Sequence, residues 1–407
     1  MSVRERYKQT EIGMIPEEWE VVKLGDFLKL KGGNAFKSKD FQKIGIPVLK
    51  ISNILSSGNI DLSNCVKVKE DKKYNLYLLN EQDIVIAMSG ATTGKIGKIK
   101  KEHLPLYLNQ RVGKFDITNP SRLYSQYLYY NVTDSRFIEK LLVNAIGGAQ
   151  PNISSRQIEN LYIPLPSLPE QQKIAAILTS VDKKIEVIDE QIAKTEELKK
   201  GLMQKLLSEG IGHTEFKESE IGRIPKEWEV STIGEVVVIS IGRDLQEEHF
   251  SKKKTATHIY PVFSNTVDNQ GLYGYYDFKE FEGQSLTVVG RGIGVGTAFT
   301  KNGGYGAIGR LIVLFPTKKI YPHFLTEYIN YKIRIFSESS GIPQLTGKAI
   351  AKYKCPVPPI EEQQKIATIL SSTDNKLDAL RERKIRYETL KKGLMQKLLM
   401  GEVRVKV

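Results

Sequence analysis

The chain has 407 residues, 40% of them hydrophobic and 26% charged, with a formal net charge of +13. That length allows two or three domains that each bury a core, and no apolar run approaches the ~18 residues that a bilayer-spanning helix needs. The two cysteines, Cys65 and Cys355, lie far apart without metal-ligand spacing, and the opening stretch Met1–Tyr7 is polar and lacks a signal-peptide core; a cytoplasmic protein with neither a structural disulfide nor a zinc site is expected.

The first distinctive stretch is Glu11-Ile12-Gly13-Met14-Ile15-Pro16-Glu17-Glu18-Trp19-Glu20-Val21. Its tryptophan reads as a packing anchor, because large aromatics act chiefly through buried area. Strands are predicted over 48–51 and 83–88, each followed by a turn rich in small polar residues. Lys50, Ser52 and Asn53 follow the first strand, Ser89, Thr92, Thr93 and Lys95 the second, and Asn109-Gln110-Arg111 comes next. A helix is predicted over 124–142. Pro164, Pro166 and Pro169 then prevent any helix from continuing through them, and a long helical arm begins with Glu170 in its first turn, where the macrodipole favours an anion. Its apolar seam is Leu178, Val181, Ile185, Ile188 and Ile192, then Leu198, Leu202 and Leu206.

The pattern then starts again. Glu220 to Val230, carrying Trp228, repeats Glu11 to Val21 at 9 of 11 positions. Strands are predicted over 285–289 and 310–314, with a glycine-rich stretch holding Arg291 between them and Arg310 at the start of the second. Ser264-Asn265 lies upstream, and a helix is predicted over 324–336. Residues 362–399 align with 170–207 without a gap, 23 of 38 positions being identical, and Leu198–Leu207 returns unchanged as Leu390–Leu399. The second seam is Leu370, Thr373, Leu377, Leu380, Tyr387, Leu390, Leu394 and Leu398, with Lys384 interrupting it.

So narrow an apolar stripe on a charged helix requires a partner helix, and the obvious partner is the other arm, antiparallel if a pseudo-two-fold axis relates the halves. The expected fold is therefore α/β (α+β): two unlike globular segments, 1–166 and 210–358, joined by two long antiparallel coiled-coil helices, 167–209 and 359–407. The arms carry about +2 of the net charge and the globular segments about +11, which suits a polyanionic partner.

Catalytic signatures are missing. Gly90-Ala91-Thr92-Thr93-Gly94-Lys95 lacks phosphate-loop spacing and has Ile96 where a magnesium-binding hydroxyl is needed. No zinc motif or nucleophile–base set is visible, and the five histidines are scattered. Binding chemistry is easier to place. Arg and Lys suit guanine edges, Asn and Gln suit adenine, and hydroxyls with glycine amides suit phosphates. Lys50, Ser52, Asn53, Ser89, Thr92, Thr93, Lys95, Asn109, Gln110, Arg111, Ser264, Asn265, Arg291 and Arg310 are the candidate DNA-binding residues.

The doubled Ile-Gly-x-Ile-Pro-x-x-Trp openings, the Glu170-Gln171-Gln172 and Glu362-Gln363-Gln364 arm starts and the Leu-Lys-Lys-Gly-Leu-Met-Gln-Lys-Leu-Leu arm ends resemble the specificity subunit of type I restriction–modification enzymes. The resemblance spans nearly the whole chain. Residues 89–95 look like a loop common in that family's target recognition domains; the second segment has Gly290-Arg291-Gly292-Ile293-Gly294 instead. The resemblance implies that each segment is a target recognition domain for one half of a bipartite, asymmetric DNA site, and that the chain is non-catalytic. It implies arms that set the spacer and dock two modification (methyltransferase) subunits, with Gln171, Gln172, Gln363 and Gln364 as partner-binding residues. S-adenosylmethionine would belong to those subunits, ATP and magnesium to a motor-nuclease subunit, and no cofactor to this chain. Two alternatives stay open: a coiled-coil adaptor for protein partners, and a self-contained DNA-modifying enzyme. Salt separates the first, since phosphate contacts weaken steeply with ionic strength; activity of the purified chain alone would support the second. The recognised bases are not legible.

An arm of 38 aligned residues is ~57 Å long at 1.5 Å per residue. Inserting one heptad after Ile192 is expected to widen the spacer by ~10.5 Å, about three base pairs. Mapping the methylated adenines checks this, and an unchanged spacer refutes the ruler.

Overall fold

A computed structural model describes residues 6–143, 152–333 and 344–406. The chain divides into two compact units, Met1–Ile188 with Arg383–Val407, and Asp189–Glu382. Each has its own buried core.

In the first unit the hairpin Tyr7–Thr10/Gly13–Pro16 leads into strand Glu20–Lys23, which pairs antiparallel with the Pro-rich strand Tyr162–Leu165. A four-stranded antiparallel sheet follows, in the order Leu28–Gly32, Val112–Ile117, Ile84–Ala87, Ile96–Lys98. A smaller sheet is ordered Tyr107–Leu108, Ile46–Leu49, Lys67–Val68, Phe41–Gln42, and its first pair is parallel. The second unit has the same plan. Glu229–Thr232 pairs with Lys354–Val357. The main sheet runs Val237–Ile241, Ile312–Pro316, Ser285–Val288, Ala298–Lys301, and in the smaller one Tyr260–Phe263 lies parallel to Gly306–Ala307. Two segments without visible sequence kinship thus share one topology. Their central strands, Ile84–Ala87 and Ser285–Val288, are buried throughout, as strands covered on both faces require.

The α+β expectation holds, with local differences. The helix predicted over 124–142 is two helices, Ser125–Thr133 and Ser135–Val143. Asp134 is extended between them (φ −68, ψ 139), and its carboxylate accepts the backbone N–H of Arg136 at 3.0 Å and the guanidinium at 2.8 Å. An aspartate that caps a new helix ends the previous one. The helix predicted over 324–336 spans Pro322–Lys332, starting with a proline in its first turn; residues 334–336 lie outside the described ones.

The long helices are Leu168–Glu209 and Ile360–Leu399, and the division into units falls within both. Within each unit their segments run antiparallel. In the first, Glu170 meets Arg404 and Asp182 meets Lys391; in the second, Glu196 meets Arg381, Lys199 meets Asp374 and His213 meets Glu362. Val181, Ile188, Thr195 and Leu206 are buried, but Leu198 is 54% exposed and its counterpart Leu390 is 49% exposed. The 3–4 alternation continues past Ile192 through Thr195 and Lys199. Leu198, expected in the seam, lies off it, because a heptad seam keeps its spacing even where its residues are polar. Lys199–Asp374 at 2.6 Å and Lys391–Asp182 at 2.7 Å are the same pair of repeat positions with the helices exchanged.

Both tryptophans are anchors, 1% and 0% exposed, and their indole N–H groups donate to the arm-start glutamates: Trp19 to Glu170 at 3.2 Å, Trp228 to Glu362 at 3.0 Å. The neighbouring glutamines correct the partner-binding expectation for Gln171 and Gln363. Each is 0% exposed. Gln171 accepts from Tyr124 N and donates to the carbonyls of Arg122 and Pro166; Gln363 does the same with Tyr321, Lys319 and Pro358. An amide so enclosed has no surface left for a partner, whereas Gln172 and Gln364 are exposed. Gln363→Ala strips three backbone groups of their partner, one buried and two part-buried, and a loss of about 2–4 kcal/mol in urea unfolding is expected; Gln364→Ala is expected to change stability by under about 0.5 kcal/mol.

Candidate nucleic-acid interface

The candidate residues gather where strands of the two sheets end. In the first unit, Ile84–Ala87 runs into the short turn Gly90–Thr92, and Ser89 bridges to Asn152. Met88 N donates to Arg111 O at 3.0 Å and Gln110 N to Asn34 O at 3.0 Å. Residues 34, 88–92, 109–111 and 152 therefore share one edge. Gly33 makes this possible: a Cβ there would lie 2.0 Å from Leu108 O. The second unit repeats the arrangement. Arg291 bridges to Gln344, Arg243 pairs with Ile308 as Asn34 does with Asn109, and a Cβ on Gly242 would lie 2.7 Å from Ala307 O.

This equivalence sorts the candidates. Arg111 and Arg310 hold the same place in the two units and both are exposed. Arg310 adopts φ 64, a left-handed conformation uncommon for a residue with a Cβ. Ser52, Gln110 and Arg291 are also exposed, Lys50 and Lys95 partly so. Lys50 Nζ lies 5.0 Å from the Phe41 ring centroid.

Other candidates serve the loops themselves. Asn53 is 7% exposed, accepting from Lys50 N and donating to Asp61 O, both at 2.9 Å. Asn109 accepts from Arg111 N at 3.4 Å and Thr93 donates to Gly90 O at 2.6 Å. The hydroxyls of Ser89 and Thr92 are buried without a hydrogen-bond partner among the described residues. Asn265 accepts from Gly290 N at 2.7 Å and donates to Gly309 O at 2.5 Å, tying the loops of Arg291 and Arg310 together, and the backbone N–H of Ser264 donates to Gly271 O. A polar residue after a strand can face outward or hold its own loop, and composition does not separate the two roles.

Asn34 and Arg243 were missed by sequence reasoning. The available signal was the glycine before each, which brings the backbone close to the neighbouring strand. In the second unit Arg291, Arg310, Gln344 and Lys348 border a cavity of about 570 Å³ whose wall includes Ile239 and Ile312.

Among the described residues no His, Cys, Asp and Glu group could hold a metal ion. Burial raises the thiol pKa of both cysteines, that of Cys355 to about 12, so neither is poised as a thiolate. No helix among the described residues is long and apolar enough to cross a membrane.

One scaffold used twice, with basic and amide side chains at equivalent strand ends, defines a two-module nucleic-acid-recognition protein. Residues 16–197 and 225–388 match the sequence profile of the type I restriction modification DNA specificity domain, and the chain belongs to that family. It is 30% identical over 427 residues to the type I restriction enzyme MjaVIII specificity subunit of Methanocaldococcus jannaschii, covering 99% of this chain and 97% of the relative. It is 21% identical to the EcoKI specificity subunit of Escherichia coli, covering 96% and 90%. The solved S subunit of a type I restriction-modification system from M. genitalium has the same fold, with a TM-score of 0.64, 20% identity and coverage of 94% of this chain and 96% of that one. The role of the chain is DNA recognition as a specificity subunit of a type I restriction–modification complex.

Proposed function

We propose that each unit reads one half of a bipartite, asymmetric DNA sequence, and that the long helices set the spacer and dock two modification subunits. S-adenosylmethionine belongs to those subunits, and ATP with magnesium to a motor-nuclease subunit; adenine methylation and cleavage are activities of the complex. Equivalent positions carrying unlike side chains support this reading most directly: Asn34 against Arg243, and Ser89, whose hydroxyl is buried, against the exposed Arg291. Unlike donors on one backbone recognise unlike base edges, while Arg111 and Arg310, alike in both units, suit a contact that both half-sites offer. Lys50, Ser52, Lys95 and Gln110 complete the DNA-facing set, with Asn53, Asn109 and Asn265 shaping the loops.

Replacing residues 230–345 with 21–153 of the same chain, cut at equivalent strand positions, is expected to keep the first half-site and turn the second into a copy of it. Mapping methylated adenines in cells that express the partner subunits decides this. A hybrid that methylates the parental sequence refutes half-site reading.

The repeated arm ends support docking of two like partners. Gly201 and Gly393 sit inside the long helices, where glycine costs about 1 kcal/mol relative to alanine. A Cβ on either would meet nothing within 4 Å, so the fold itself does not require them. Beside them Leu198 and Leu390 are exposed, as are Gln172 and Gln364 at the arm starts. Glycine at a bare surface suits close approach of a partner backbone. Gly201→Ala with Gly393→Ala is expected to stabilise the free chain by about 1 kcal/mol per site in urea unfolding and to weaken its co-purification with the modification subunits. Undiminished assembly rules out this docking face.

A further inference from the structure

The turn after strand Tyr260–Phe263 has an uncommon backbone. Asn269 (φ 47, ψ 40) and Gln270 (φ 52, ψ 32) both adopt the left-handed conformation, and Gly271 follows at φ 87. That conformation is unfavourable for residues bearing a Cβ, and two in succession persist only where their surroundings impose it.

Lys301 imposes it. This lysine is 6% exposed. Its ammonium donates to Gln270 O at 2.8 Å and lies 3.6 Å from the ring centroid of Phe263 and 5.3 Å from that of Phe299. Burial pushes its pKa down to about 8. An ammonium taken out of water needs hydrogen bonds or ring faces in exchange, and a methionine would fill the same space without that demand. Its hydrogen bond to the backbone falls on Gln270, a left-handed residue of the turn, as suits a positioning residue.

The side chains so presented point to a ligand. Asn269 and Gln270 are exposed, and their amides are the groups that bind an adenine edge bidentately in the major groove. The turn is coupled to both arginine loops: Asn265 holds Gly290 and Gly309, and Val267 lies so close to Gly294 that a Cβ there would be 2.3 Å from Val267 Cγ1.

We propose that residues 266–271 form a base-reading element of the second unit, in which Asn269 and Gln270 read A·T pairs and Lys301 holds the turn in the reading conformation. This deepens the half-site assignment above and rests on it. Sequence discrimination is measured on the complex assembled with its modification subunits, as methylation of duplexes carrying single base-pair changes. Asn269→Gly with Gln270→Gly preserves the backbone conformation, since glycine adopts it freely, and removes both amides. Discrimination is expected to fall about ten- to hundredfold at one or two A·T positions of a single half-site. Lys301→Met is expected to relax those same positions; a purely structural role would lower the yield of complex without altering base preference. Unchanged discrimination in the double glycine variant overturns the proposal, as does a loss spread evenly over both half-sites, and this variant decides alone if Lys301→Met does not fold. A wild-type complex with no sequence preference would instead overturn the half-site reading, and the inference with it.

Discussion

A carboxylate at the start of each long helix, buried in Glu170 and nearly so in Glu362, organises the unit around it. Glu170 is 3% exposed and receives the Trp19 indole N–H together with the Arg404 guanidinium, at 2.8 and 3.1 Å on its two oxygens. Such a group is tolerable inside a protein only if it is paired and hydrogen-bonded, and the helix N-terminus adds favourable potential. Glu362 is held by Trp228, the Ile211 N–H at 2.8 Å and His213 Nε2 at 2.9 Å. The indole is common to both units; the second side chain, a guanidinium in one and an imidazole in the other, differs. In each case the other long helix supplies the remaining partners from just beyond its C-terminal end. It approaches through a glycine in the left-handed conformation, Gly401 or Gly210, where a Cβ would lie 3.1 or 2.7 Å from the tryptophan ring. The three repeated stretches of sequence are therefore three walls of one packing unit, and none can change without the others.

That dependence explains which features were legible from residues alone. The arms, the tryptophan anchors and the Pro-rich strands are repeated because the carboxylate lock needs all of them, and repetition is visible in a single chain. The burial of Gln171 and Gln363 was not. Glutamine is mostly a surface residue, and only the carbonyls of Arg122 and Pro166, or of Lys319 and Pro358, turn it into an interior clamp. The seam was misread for a related reason. Leu198 looks like core, but the register set by Ile188 and Thr195 places Lys199 at the interface, where Asp374 receives it.

Strand order was hidden because it depends on pairings far apart in sequence. Ile46–Leu49 lies parallel to Tyr107–Leu108, and Tyr260–Phe263 to Gly306–Ala307. Two-residue strands carry little pattern of their own. Gly33 and Gly242 mark the places where these backbones nearly touch, and a glycine reserved for close approach looks in sequence like any loop glycine. The candidate site divided along the same line: Arg111, Arg291 and Arg310 face outward, while Asn53 and Asn265, chemically as suitable, spend their amides on hydrogen bonds to loop backbone, Asn53 in its own loop and Asn265 between two neighbouring ones.

This division separates what can vary from what cannot. Exposed side chains such as Gln110, Arg291 or Arg243 contribute little to folding, since surface substitutions usually change stability by under about 0.5 kcal/mol. The enclosed asparagines cost about 1–3 kcal/mol per orphaned group when removed. On the proposed function, new base preferences arise by exchanging outward residues on an unchanged backbone, while the loop's internal hydrogen bonds keep each new side chain in a defined place. Phosphate attraction, spread over the diffuse positive charge of the globular segments, changes little with any single exchange. The same proposal lets two copies of one fold recognise unlike sequences without either copy losing its hold on DNA.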